Sequence, residues 1–84
     1  MATVERLLTV YARDYCHLCQ DMLAQLEPLR ETLGFKLKVV DVDSGPELEG
    51  RYGEWVPVLM GGDEEICHYF LDRAALDAYL AKIR

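Results

Sequence analysis

Two cysteines separated by two residues stand where a short apolar strand gives way to a helix. Residues 7–11 are apolar, β-branched or aromatic, and leucines recur at helical spacing from Leu18 onward. Cys16 therefore falls at a helix N-terminus, where unpaired backbone N–H groups and the helix dipole favour an anion. A thiolate is the reactive form of cysteine, and such a position is one of the few that lower the pKa of a thiol. Cys19 lies one turn further along on the same face, so the sulfurs can close into a disulfide, and the pattern predicts a redox pair.

The order of strand, C-x-x-C and helix is typical of thioredoxin-like proteins. The chain resembles that superfamily over nearly its whole length, and it is most similar to the small glutaredoxin-like proteins. The resemblance is carried by Arg13-x-x-Cys16-x-x-Cys19, by Trp55-Val56-Pro57 and by Gly61-Gly62. It implies an α/β, thioredoxin-like (glutaredoxin-type) three-layer fold, with a four-stranded mixed sheet of order 2-1-3-4 and helices on both faces.

Size and charge limit the class of protein. The 84 residues, 51% of them hydrophobic, are expected to form a single domain, residues 1–84, with a core that needs no metal or set of disulfides. The net charge of −6 argues against a nucleic-acid or anionic membrane surface. No apolar run approaches the roughly 20 residues that span a bilayer, and residues 1–6 lack the start of a signal peptide. We therefore expect a cytoplasmic monomer whose thiols are kept reduced.

Hydrophobic periodicity divides the chain into four strands and three helices. The strands are expected at residues 6–12, 35–42, 56–60 and 64–70. The helices are expected at residues 16–33, at 47–51 and after residue 72. Gly34 and Asp72 are the predicted stop and cap of the outer two helices. Phe35, Leu37 and Val39 are expected to point inward from the second strand.

The residues around the two cysteines suggest a division of roles. Cys16 is the expected attacking thiol because it is the more exposed of the pair, and Cys19 is the resolving thiol that releases a mixed disulfide. His17 would stabilise a Cys16 thiolate when protonated, or is a solvent-facing residue with little effect. By resemblance, Arg13 stands where glutaredoxins hold a lysine that attracts the thiolate and the glycyl carboxylate of glutathione. Tyr15 takes the aromatic place beside the active cysteine, where it shields the disulfide or covers the edge of the core.

A second motif lies about forty residues further on. Val56-Pro57 matches the cis-proline loop that faces the two thiols in the superfamily. A cis bond there would leave the Val56 N–H and C=O free to pair with an extended substrate, whereas the alternative is a trans proline that opens a strand. Trp55 is either a substrate-facing platform or a core filler. Glutaredoxins hold the γ-glutamyl end of glutathione with a second Gly-Gly and an acidic pair, and this chain has only Asp72 there, so glutathione binding stays open.

The resemblance and the cysteine pair together predict an enzyme, a thiol–disulfide oxidoreductase that exchanges disulfides through Cys16. Its partner would be a disulfide-containing protein or a small thiol, its electron donor glutathione or a thioredoxin-type reductase, and no bound cofactor is expected. Two alternatives stay open: a redox-inactive peptide-binding module, and a carrier of zinc or an iron–sulfur cluster. Cys67 and His68, adjacent on a strand, point to opposite faces. We therefore predict no metal ligands and an ordinary, half-buried Cys67.

Overall fold

The structure, a computed structural model, describes residues 6–83. Residues 1–5, on which the expectation of no signal peptide largely rests, and residue 84 lie outside the described part. The strands are β1 (Leu7–Ala12), β2 (Lys36–Asp41), β3 (Val58–Gly61) and β4 (Glu64–His68). The helices are α1 (His17–Leu33), α2 (Pro46–Tyr52) and α3 (Arg73–Lys82), with a 3₁₀ turn at Val42–Ser44. None of the described helices has the length and apolar character to cross a membrane.

The four strands form one sheet in the order β2-β1-β3-β4. β1 and β2 are parallel, and α1 makes the long connection that parallel neighbours require. β3 is antiparallel to β1, and β4 is antiparallel to β3. A tight turn at Gly62 and Asp63 joins the last two strands. The expected mixed sheet of order 2-1-3-4, with the first strand at its centre, is confirmed.

The two faces of the sheet are covered differently. One face carries the main hydrophobic cluster, which takes Leu8 and Val10 from β1 and Leu59 from β3. The helices complete this cluster with Cys19, Met22, Leu26, Leu76 and Leu80. On the other face, Tyr11 of β1 stacks on Tyr52 of α2 with ring centroids 4.0 Å apart. The short α2 therefore covers the end of the sheet at which β1 leads into the cysteines.

The ends of the helices follow their capping residues. Cys16 is the N-cap of α1, and Gly34 ends that helix in the left-handed conformation, φ 73°, which favours glycine. Asp72 caps α3 by accepting the N–H of Ala75 at 3.0 Å, as predicted. Pro46 occupies the first turn of α2, where its missing N–H is not needed.

The prediction that Val39 points into the core is wrong. Its side chain is 53% exposed, although Phe35 is buried and Leu37 is half-buried. β2 pairs with β1 alone and lies at the edge of the sheet. Alternation along an edge strand says which residues share a face, but not whether another element covers that face.

Candidate functional site

The strand-to-helix junction holds the sulfur of Cys16 at the start of α1. As N-cap, Cys16 has extended backbone angles, φ −103° and ψ 109°, and its Sγ accepts the N–H of Cys19 at 3.2 Å. This is the bond that a serine or aspartate makes at the same position. An N–H donor and a helix N-terminus are surroundings that stabilise negative charge on sulfur.

Cys19 sits one turn deeper and behaves differently. Its side chain is 2% exposed and belongs to the hydrophobic cluster. Burial, and then a hydrogen bond with the Cys16 side chain, raise the pKa of the Cys19 thiol to about 12, while Arg13 opposes the rise. At neutral pH Cys19 is therefore a protonated, protected thiol. The predicted asymmetry between an outer and an inner sulfur is present.

A cavity of about 260 Å³ borders Cys19 on the side facing β2. Leu23 and Val39 give it apolar walls, and Asp14 and Asp41 place carboxylates at its rim. Cys16 does not line it. The cavity therefore gives access to the neighbourhood of the inner sulfur.

The two residues that flank Cys16 are exposed. Tyr15 is 98% exposed and has a left-handed backbone, φ 62°, so it does not cover the edge of the core, and that alternative is wrong. Tyr15 instead contributes to the rim of the cavity beside Cys19. His17 is exposed at the first position of α1. Its predicted role, either stabilising a Cys16 thiolate or facing solvent with little effect, stays a prediction.

The cation before the cysteines is tied to two acids. Arg13 Nε lies 3.3 Å from Asp43 Oδ2, and its Nη2 donates a short, charge-assisted hydrogen bond to Glu49 Oε2. The bond to Glu49 is the main reason why the pKa of the Arg13 guanidinium is raised. Sequence reasoning missed both of these partners of Arg13. The signal available was the acidic stretch from Asp41 to Glu49, which nothing local connects to Arg13.

The proline loop lies at the same end of the sheet as the cysteines. The Val56-Pro57 bond is cis, as expected, and Pro57 is fully buried. Val58 pairs with Tyr11, so Pro57 enters β3 beside the end of β1. Tyr69 fastens the loop by donating its N–H to Pro57 C=O at 2.9 Å and its hydroxyl to Glu54 C=O at 3.0 Å. Tyr69 is a site residue that the sequence reasoning missed.

The backbone next to the proline is open. Val56 lies outside the helices and strands. Among residues 6–83, no loop, turn or cap hydrogen bond between backbone groups uses its N–H or its C=O. Trp55 is 45% exposed and is not a core filler. The other alternative, that Trp55 is a substrate-facing platform, stays a prediction.

Trp55 forms one wall of a groove of about 430 Å³ on the α2 face of the sheet. Its ring meets His68 edge to face at 5.4 Å, and His68 Nδ1 lies 2.8 Å from Glu65 Oε2. Residues three apart on a regular strand point to opposite faces. The register shift after Leu59, which leaves Ile66 unpaired as a bulge, brings Glu65 and His68 to one face.

Cys67 and His68 diverge as predicted. Cys67 pairs with Leu59 and packs against the hydrophobic cluster, whereas His68 lines the groove with Trp55. Burial raises the pKa of the Cys67 thiol. Among residues 6–83, no three His, Cys, Asp or Glu side chains are arranged to hold a metal ion.

The chain is similar to known proteins both in sequence and in fold. Residues 7–81 match the family described as glutaredoxin-like domain (DUF836). Protein Ne2328 from Nitrosomonas europaea is 41% identical, with a TM-score of 0.81 over 94% of this chain and 95% of that one. Protein XcR50 from X. campestris is 32% identical, with a TM-score of 0.71 over 92% and 99%.

More distant structures share the fold alone. Thioredoxin 1 from Thermosipho africanus is 18% identical, with a TM-score of 0.61 over 90% of this chain and 96% of that one. No curated protein sequence matches the chain. The match over residues 7–81 shows that the chain belongs to the glutaredoxin-like domain family, and its fold is the one that thioredoxin 1 also has.

Proposed function

We propose that the protein is a thiol–disulfide oxidoreductase in which Cys16 attacks and Cys19 resolves. The observation that carries the proposal is the environment of the two sulfurs. Cys16 Sγ accepts an N–H at a helix start, and Cys19 is buried one turn behind it as a protonated thiol. Fast attack on a substrate disulfide needs an accessible sulfur anion. Resolution of the resulting mixed disulfide needs a second thiol within reach.

The reaction proceeds in two exchanges. The Cys16 thiolate attacks one sulfur of a substrate disulfide, forms a mixed disulfide and releases the first substrate thiolate. Cys19 then gives its proton to water or to the first released thiolate, attacks Cys16 Sγ, closes the Cys16–Cys19 disulfide and releases the second substrate thiolate. Two electrons have passed from the dithiol to the substrate. A thiol reductant, either glutathione or the dithiol of a reductase, returns them.

The raised pKa of Cys19 supports this order of events. Part of the rise comes from the charge and the hydrogen bond of Cys16. Once Cys16 is in a mixed disulfide it carries no charge, so that part of the rise is lost and Cys19 can ionise more readily. Burial is the largest cause of the raised pKa, and it keeps Cys19 protonated in the resting protein.

The proline loop supplies a place for the substrate. The open Val56 backbone can pair with an extended chain on either side of its disulfide, and Trp55 offers an exposed ring beside it. We include Arg13, Tyr15 and His17 in the same surface. The partner in this proposal is a disulfide-containing protein or a small thiol, met by a monomer in the reducing cytoplasm without a bound organic cofactor.

Reduction of a protein disulfide by dithiothreitol tests the proposal. The protein should accelerate the reduction of insulin, and Cys16→Ser should lower that acceleration by at least about a hundredfold. Cys19→Ser should accumulate a mixed disulfide on Cys16 that intact mass spectrometry detects. A Cys16→Ser variant as active as the parent would refute the assignment.

A second candidate is a peptide-binding module without redox chemistry. The groove beside Trp55 and the open Val56 backbone favour it, because neither depends on the sulfurs. Equal binding of a cysteine-free extended peptide by the parent and by Cys16→Ser, with no acceleration of insulin reduction, would support this reading.

A further inference from the structure

The Arg13 guanidinium is a cation whose charge acts on Cys19, beside which Arg13 lines a cavity. Its charge lowers the pKa of the Cys19 thiol, and a hydrogen bond from the Arg13 backbone lowers it as well. An unpaired arginine at this point would attract an anionic thiol or disulfide to the sulfurs. Its side chain is instead held by Asp43 and Glu49, and two carboxylates more than neutralise one guanidinium.

Both acids are placed by local structure rather than by chance contact. Asp43 stands in the 3₁₀ turn, where its N–H is accepted by Asp41 Oδ1 at 2.9 Å, and the Ser44 hydroxyl donates to Asp41 C=O at 2.7 Å. Glu49 stands in α2, and the absence of a side chain at Gly53 leaves the space that its carboxylate occupies. The Arg13 clamp, defined here as Arg13 with Asp43 and Glu49, is therefore built by two elements that are ordered before any substrate arrives.

Two further acids add to the clamp. Asp14 and Asp41 line the cavity beside Cys19 together with Arg13. Arg13 thus stands between two carboxylates that bind it, Asp43 and Glu49, and two that line the cavity with it, Asp14 and Asp41, in a chain whose net charge is −6. Exposed charges act over about one Debye length, roughly 10 Å at 0.1 M salt, so an approaching substrate meets a negative field.

We propose that the Arg13 clamp makes the cysteine pair select cationic disulfides and discriminate against glutathione and other anionic thiol compounds. The inference rests on the proposed function, because it describes which disulfide the Cys16 thiolate attacks. The attacked bond, the mixed disulfide and the released thiolate are those given above. Of the two reductants named there, this selectivity favours the dithiol of a reductase over glutathione as the source of the returning electrons.

Three small disulfides of different charge test the proposal with the parent protein. Stopped-flow rates for oxidation of the reduced protein are measured with cystamine, which is cationic, with hydroxyethyl disulfide, which is neutral, and with oxidised glutathione, which is anionic. Each rate is divided by the rate at which the same disulfide reacts with 2-mercaptoethanol. This ratio cancels differences in intrinsic reactivity among the three disulfides. The normalised rates should fall in that order, by about tenfold between the extremes, and about 0.5 M KCl should compress the series.

Charge variants connect the order to the clamp. Asp43→Asn/Glu49→Gln frees Arg13 and removes two negative charges, so the ratio of glutathione disulfide to cystamine rates should rise about tenfold. Glu27→Gln/Glu31→Gln is the matched control, because it changes the net charge equally some 16–22 Å along α1 from Cys16. Its ratio should stay at the parent value. If the double variant folds poorly, Glu49→Gln alone replaces it. This single variant should raise the ratio of glutathione disulfide to cystamine rates by a smaller factor.

The outcomes separate the inference from the function. Normal exchange with hydroxyethyl disulfide, but a flat or reversed charge series, overturns the inference alone. A double variant that folds and keeps the parent ratio also overturns it. Failure to exchange with any of the three disulfides overturns the proposed function, and the inference with it.

Discussion

Cys16 and Cys19 stand three residues apart but differ in exposure, so they should differ in reactivity. Under limiting iodoacetamide near neutral pH, Cys16 should be alkylated at least about tenfold faster than Cys19 or Cys67. Cys19 is buried with a pKa of about 12, and burial raises the pKa of Cys67. Peptide mass spectrometry after short exposure measures the order. Fast alkylation that persists in Cys16→Ser would contradict it.

Two tyrosines share a left-handed backbone but should respond oppositely to the same substitution. Tyr15 has φ 62° and is 98% exposed, so Tyr15→Asn relieves backbone strain without losing packing and should raise the free energy of unfolding by about 1 kcal/mol. Tyr69 has φ 65°, but it bonds Glu54 and contacts the rings of Trp55 and His68. Tyr69→Asn should therefore lower stability by about 1–2 kcal/mol. Urea denaturation measures both, and a loss on Tyr15→Asn would show that this side chain makes contacts.

The site was predictable where its parts are local in sequence. The position of Cys16 follows from the strand, the cysteine spacing and the leucine periodicity, all within a few residues. The partners of Arg13 did not follow, since Asp43 and Glu49 reach it across 30 and more positions of chain through the packing of the 3₁₀ turn and α2. The role of Tyr69 in fastening the proline loop was missed for the same reason.

Element order and type were predictable, whereas burial and register at the sheet edges were not. Residues in β1 are apolar on both faces, which is the pattern of a central strand, and the sheet places it there. Val39 shows the limit, because the sequence of an edge strand does not reveal what covers it. The bulge at Ile66 shows a second limit of sequence-based prediction. The two-residue alternation of a regular strand would place Glu65 and His68 on opposite faces, whereas the bulge brings them to one face.

The contact between β3 and α3 depends on a glycine. A Cβ at Gly61 would overlap the ring of Tyr79, so Gly61→Ala must displace that ring and should lower stability by about 1–3 kcal/mol. Gly50→Ala in α2 is the matched control, because nothing lies within 4 Å of its Cβ; it should raise stability by up to about 1 kcal/mol. Thermal denaturation compares the two. The cost of Gly61→Ala should shrink in a Tyr79→Ala background, and an unchanged cost would place its cause elsewhere.

At the scale of the whole molecule, burial of ionisable groups should make the reduced protein sensitive to alkali. Burial is the largest cause of the raised pKa values of Cys19, Cys67 and Tyr11. Each group is uncharged in the folded chain at a pH where the unfolded chain has begun to ionise. The unfolded state then binds fewer protons, so the free energy of unfolding falls as the pH rises. For Cys19 the stabilisation is complete below its unfolded pKa of 9.0 and is lost towards a pH of about 12.

Urea denaturation followed by Trp55 fluorescence, at pH values between about 8 and 11 and with a phosphine reductant present, measures this loss. Cys19 should contribute a slope of at most about 1.4 kcal/mol per pH unit. Cys19→Ala should start from a lower stability, because it leaves a small cavity, yet should lose less with pH. Cys67→Ala, a half-buried comparison, should flatten the slope less. If Cys19→Ala and the parent lose stability in parallel, the inner sulfur is not held as a neutral thiol, and the proposed order of the two exchanges loses its basis.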